Sequence, residues 1–142
     1  MAQQQLSVIT LAVVDLARSR QFYETGFGWT PCFTQDGIAF YQMNGFVLGL
    51  WQGDALAGDF QRPLGAASAG AFALAHNVAD RTMVETVMAG LLAAGGTLLR
   101  AADAPPHGGW RGYVADPDGH AWEIAWNPAW SIDNEGHVRF AL

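Results

Sequence analysis

Two aspartates, Asp15 and Asp80, stand about half a chain apart, and each follows a strand-like apolar run and precedes a helical pattern. That repetition constrains the fold more than any single motif, because a duplicated unit sets the topology twice. In the first half, Leu6 to Val14 (LSVITLAVV) is rich in branched residues and reads as a strand covered on both faces. Asp15 is the expected N-cap of LARSRQFYETGFG, with Leu16, Phe22 and Tyr23 on its apolar side and Gly26 as its stop. WTPCFTQ, IAFYQM and FVLGLW follow as three short strands. Asp36-Gly37 and Asn44-Gly45 separate them, and both dipeptides suit two-residue hairpin loops whose central positions take positive φ.

The second half repeats the plan. Gly70 to Val78 (GAFALAHNV) reads as a strand, with Asp80 ahead of a helix. Val84, Val87, Met88, Leu91 and Leu92 fall at i, i+3, i+4, i+7 and i+8, one apolar stripe, and Gly95-Gly96 ends it. TLLRA, WRGYVA and HAWEIAW supply three more strands, the last two joined by Asp116-Pro117-Asp118-Gly119, a type I turn with a bulge. The expectation is one domain over 1–142, with module one at about 6–52, a connector at about 53–69 and module two at about 70–128. The tail, 129–142, has no period and is expected to wrap over the domain or reach a partner.

Composition narrows the function classes. Hydrophobic residues make up 51% and charged ones 14%, well under the usual quarter, so a partner is expected to cover some apolar surface, a homodimer being the simplest case. Net charge is -6, and the seven cations are all arginines with no cluster, which argues against nucleic acid. Apolar runs are too short to cross a bilayer. Cys32 stands alone, which rules out an intramolecular disulfide and a CxxC metal site. With no signal-peptide pattern in MAQQQLSVIT, the expected location is cytoplasmic.

The duplicated βαβββ plan, with VVDLARSRQFYETGFGW near its start and GYVADPDGHAWEIAWNP near its end, resembles the glyoxalase/bleomycin-resistance/dioxygenase superfamily, the vicinal oxygen chelate fold, from Leu6 to about Pro128. The resemblance implies an α+β fold. Two βαβββ modules would form curved mixed sheets around a cavity, with helices on the outer face. It also implies dimers, sometimes with exchanged modules. Metal-binding members place ligands at four strand positions. Glu123 matches the last; Val8 and Ala71 occupy the first and third, and FVLGLW offers no donor side chain for the second. Since a divalent ion needs three or four converging donors, no metal cofactor is expected. The resemblance then implies a metal-free binder of an apolar or aromatic small molecule. The alternative is a glyoxalase-like lyase, isomerase or dioxygenase using Glu123 as base or as a ligand to a divalent metal.

The residues themselves add detail. Alternation puts Ala121, Glu123 and Ala125 on one face of the last strand and Trp122, Ile124 and Trp126 on the other, the bulky set suiting a core face. Glu123 is then either a ligand-binding or catalytic carboxylate, or a carboxylate paired with Arg111 or a histidine. Trp110 and Trp51 are candidate stacking residues, as aromatic walls are common in small-molecule pockets, and His107 sits in a PPHGG loop able to close over a ligand. His120 reads as a turn histidine bonding backbone, His76 as a strand-end or dimer-contact residue, and Cys32 as an inert thiol.

Overall fold

The computed structural model describes residues 2–65 and 71–141, so Gly70, the expected start of the fifth strand, lies outside the described residues. Two four-stranded mixed sheets carry the same topology. β1 (Val8–Val13), β2 (Phe33–Gln35), β3 (Ile38–Gln42) and β4 (Val47–Gln52) form one, in the order β1-β4-β3-β2. β5 (Leu74–Asn77), β6 (Thr97–Asp103), β7 (Trp110–Ala115) and β8 (Ala121–Trp126) form the other, in the order β5-β8-β7-β6. In each sheet the strand preceding the helix runs parallel to the last strand, and the remaining neighbours are antiparallel. The duplication inferred from two aspartates is therefore present strand by strand. The sheets remain separate and do not close on one another.

Helix α1 (Leu16–Gln21) begins at Asp15, whose carboxylate accepts from the Arg18 N–H, and runs into a π-helical turn, Phe22–Gly26. Gly26 ends that turn for a packing reason. A Cβ there would lie 3.0 Å from Leu91 Cδ2 and 3.2 Å from Ala94 Cβ, so its absence lets the turn approach α3 (Met83–Ala93). The positive φ falls two residues later, at Gly28. Both hairpin loops form as expected, although only their glycines, Gly37 and Gly45, take positive φ. The connector differs from expectation: its first part is a helix, α2 (Gly53–Phe60). The tail also folds, as a two-stranded hairpin of β9 (Ser131–Ile132) and β10 (Val138–Arg139).

One face of each sheet carries the core. Leu11, Val13, Tyr41, Leu48 and Leu50 of the first sheet, and Val114, Trp122 and Ile124 of the second, are buried against Phe22, Tyr23, Val84 and Leu91. On the opposite face of the first sheet Val8 and Phe33 are exposed. Apolar burial on this scale supplies the main favourable term in folding.

Candidate functional site

The two most recognisable sequence motifs meet in space. Asp116 and Asp118 of the Asp116–Gly119 turn are both buried, and their carboxylates reach back to module one. Asp118 accepts from the Val14 N–H at 2.9 Å and from the Ser19 hydroxyl at 2.6 Å, while the Arg18 guanidinium stands 3.5 Å away. Asp116 accepts from the Tyr23 hydroxyl at 2.6 Å and from the backbone N–H groups of Asp118 and His120. The Trp122 indole N–H in turn donates to the Tyr23 oxygen at 3.1 Å. Burial raises the pKa of Asp116 despite these bonds, and burial together with the nearby Asp116 charge pushes Tyr23 well above the ordinary phenol. This cluster joins the modules; its polar atoms are used among themselves. His120 belongs to it, with Nε2 2.9 Å from the Ala12 carbonyl oxygen, the backbone contact expected of a turn histidine.

A cavity of about 720 Å³ lies between the modules on their core-facing side. Ile9, Tyr41 and Leu48 come from the first sheet, Leu74, His76 and Trp122 from the second, and Trp29 from the segment after the π-helical turn. Asn44 and the tail residues Gly136, His137 and Val138 complete its rim. Its size falls inside the range of about 300–1,000 Å³ usual for small-molecule pockets, which are mostly apolar with a few placed polar groups. Trp29 stacks on Phe27, with centroids 4.1 Å apart and planes 11° from parallel. His76 meets the edges of Phe27 and Trp29 at 5.3 and 6.1 Å. Burial in this aromatic setting pushes the His76 imidazole below its ordinary pKa, so it is neutral at neutral pH. The Tyr41 hydroxyl is already committed, donating to Glu24 at 2.9 Å.

The residues singled out from sequence do not line this cavity and do not converge. Glu123 and Arg111 share the face of the second sheet that lacks helices, on neighbouring strands. Arg111 bonds Asp103 rather than Glu123, and among the described residues Glu123 has no ion-pair partner. Trp110 lies on the opposite face, its indole donating to Glu85 at 2.8 Å and its ring covered by the Arg81 guanidinium at 4.0 Å. His107 is exposed in the β6–β7 loop. Trp51 is half-buried on the face of the first sheet opposite Leu11 and Leu50, paired with Ala12 and Ile38.

The donor set around Glu123 does not fit a metal. Its register neighbours are Ala75 and Tyr113; Ala71 lies ahead of β5, and Val8 is paired with Val47. Among the described residues no three of His, Cys, Asp and Glu converge anywhere. One carboxylate supplies too few protein donors for a divalent ion.

His76, Trp29 and the tail's His137 had no functional assignment from sequence. The available signal was the alternation of β5. Leu74 and His76 share a face, and the parallel register sets Leu74 beside Trp122 and His76 beside Ile124, both core residues. A histidine on that face was therefore interior, although nothing local marked it.

The sequence model of the Glyoxalase/Bleomycin resistance protein/Dioxygenase superfamily matches residues 5–124. Among solved structures, a glyoxalase-related enzyme from Fulvimarina pelagi is similar at 56% identity and a TM-score of 0.96, covering 99% of this chain and 100% of that one. A glyoxalase/bleomycin resistance protein/dioxygenase from Nocardioides is similar at 23% identity, TM-score 0.73, over 89% of this chain and 85% of its own. Lactoylglutathione lyase from Agrobacterium tumefaciens is similar at 18% identity, TM-score 0.71, over 93% and 100%. The last two likenesses bear on the fold alone. A comparison with curated proteins finds no match.

Proposed function

The chain belongs to the Glyoxalase/Bleomycin resistance protein/Dioxygenase superfamily, and from that premise we propose that it binds a small molecule, in the cavity between its modules, without a metal ion. The observation that carries this is a cavity of about 720 Å³ with aromatic, apolar and a few polar groups in its walls, in a fold where Glu123 has only Ala75 and Tyr113 as register neighbours and, among the described residues, no three of His, Cys, Asp and Glu converge. Recognition would come from shape and apolar contact, with a few polar groups setting orientation.

Ligand screening by thermal shift tests it, since a molecule that binds only the folded chain raises Tm. Small apolar and aromatic compounds should raise Tm equally with and without a strong chelator. Loss of every such shift on chelation, or an ion held at near-stoichiometric level by three or more side chains, would overturn it.

A second reading is an enzyme in which Glu123 acts as general base. In its favour, Glu123 lacks an ion-pair partner among the described residues, and the 56%-identical structure is described as a glyoxalase-related enzyme. A base must reach the proton that it removes. Glu123→Gln should then abolish turnover of any substrate found; retained turnover would eliminate this reading.

A further inference from the structure

Resting on the binding reading above, we propose that the inter-module cavity selects a planar, uncharged aromatic molecule bearing one hydrogen-bonding group, stacked at Trp29 and read by the His76 imidazole. This site lies on the helix-packed side of the sheets, away from the strand face that carries Glu123.

Four observations converge on that ligand chemistry. Phe27 covers Trp29 in parallel at 4.1 Å, and Trp29, not Phe27, reaches the cavity wall. A ring held in this way is a preformed stacking surface for a flat π-system. His76 is fixed by aromatic edges, and among the described residues it has no hydrogen-bond partner. A neutral imidazole offers one donor and one acceptor, so it can meet a hydroxyl, a carbonyl or a ring nitrogen. Among the described residues no buried side-chain nitrogen or oxygen is left without a partner, so the His76 ring nitrogens, unbonded to protein, face water in the cavity, and a ligand's polar group can take that water's place.

Charge narrows the class further. No Asp, Glu or Arg side chain lines the cavity, and His137, which does, is set against Asp133 and Glu135, so an anion entering beside it meets two carboxylates. The chain as a whole carries -6, which further disfavours anions. Taking an ion out of water without a partner is costly. A neutral ligand avoids that cost, and the Asn44 and Asn77 carboxamides in the walls offer it further polar contacts.

The test is calorimetric titration of the full chain near neutral pH with three probes of one shape family: 2-naphthol, 2-naphthoate and decahydro-2-naphthol. The first is neutral and flat, the second flat but anionic, the third neutral but puckered. Binding of 2-naphthol should be at least about tenfold tighter than either of the others. His76→Phe should weaken 2-naphthol by about tenfold, with His76→Gln recovering part of the loss, and Trp29→Leu should weaken it similarly. On the unaltered chain, the His76 ring resonances should move on titration with 2-naphthol, which keeps the test decisive if a variant does not fold.

Equal or tighter binding of the carboxylate or the puckered alcohol would overturn the proposal, as would unmoved His76 resonances at saturation. If 2-naphthol is silent while another class of molecule occupies the cavity, this inference falls and the broader binding reading stands. Silence from every small molecule removes both.

Discussion

β1 joins two regions that differ in how they use polar atoms. Where the strand ends, the Val14 N–H donates to Asp118, within a cluster that also engages Ser19, Tyr23, Asp116 and the Trp122 indole. Where it begins, Ile9 stands in the cavity wall with Trp29 and His76, about 16 Å away by strand rise. In the first region, buried carboxylates and their donors come from segments some hundred residues apart, and each satisfies the other. In the second, aromatic rings supply the packing, and an imidazole is left without a protein partner. The contrast separates two duties: one end of the module interface fixes how the halves meet, and the other keeps space that a ligand can fill. Trp122 touches both, as cavity wall and as donor to Tyr23.

The largest effect should follow from breaking the polar end. Asp118→Ala leaves the Val14 N–H and the Ser19 hydroxyl without their acceptor in a buried setting. The expected loss is about 3 kcal/mol, mostly from the two buried donors, since Arg18 is half exposed and adds little. Urea denaturation should show a fall in midpoint; a loss below about 1 kcal/mol would mean that the clamp is not what holds the modules in register.

Tyr23→Phe sharpens the same point with a smaller change. It removes one donor to Asp116 and the acceptor of the Trp122 indole, at an expected cost of about 2 kcal/mol. A double-mutant cycle with Trp122→Phe should show coupling of about 0.5 kcal/mol or more, as expected of bonded neighbours. Strict additivity would separate Trp122 from the clamp.

At the other end, His76→Phe should scarcely alter stability at neutral pH, within about 0.5 kcal/mol, because the imidazole has no protein hydrogen bond to lose among the described residues. The binding loss argued above would then occur in a chain as stable as the original. A drop of about 2 kcal/mol or more would make His76 a structural residue and erase the contrast between the two regions.

Much of this fold was legible in the sequence. The Asp15 cap, the apolar stripe through Val84, Met88 and Leu91, the turn dipeptides and the alternation through Trp122 and Ile124 each act locally and appear where expected, although Leu92, read as part of the stripe, is exposed. The helix at Gly53–Phe60 was not foreseen, because its small residues resemble a connector and it buries none of its side chains to give an apolar stripe. The candidate site was less legible for a different reason. Trp29 and His76 lie 47 positions apart and meet only through the packing of one module on the other. Pairing with Arg111 was one of the roles open to Glu123 from sequence, yet Asp103 on the adjoining strand takes the arginine.

The smallest effect, acidification, separates the two regions by sign. Burial depresses the His76 pKa, so the unfolded chain takes up that proton more readily than the folded one. Its stabilising contribution is complete above the ordinary value near 6.5 and is lost as pH falls from there through the depressed value. Asp116 runs the other way: burial raises it above 3.8, so in the window from that value up to the raised one the folded chain binds the proton better, and falling pH there adds stability. The titratable groups sharing the cavity with His76 are Tyr41 and His137, with Glu24 and Arg20 behind Tyr41 and Asp133 and Glu135 beside His137. Those around Asp116 are Tyr23, Asp118 and His120. Urea midpoints of wild type and His76→Phe, compared from neutral pH to about pH 5, isolate the first window. The wild type should lose stability more steeply than the variant, and bound 2-naphthol should oppose that loss by holding the imidazole neutral. Parallel curves would mean that the aromatic setting does not hold the His76 ring neutral, and the two ends would then no longer differ in the sign of their response to acid.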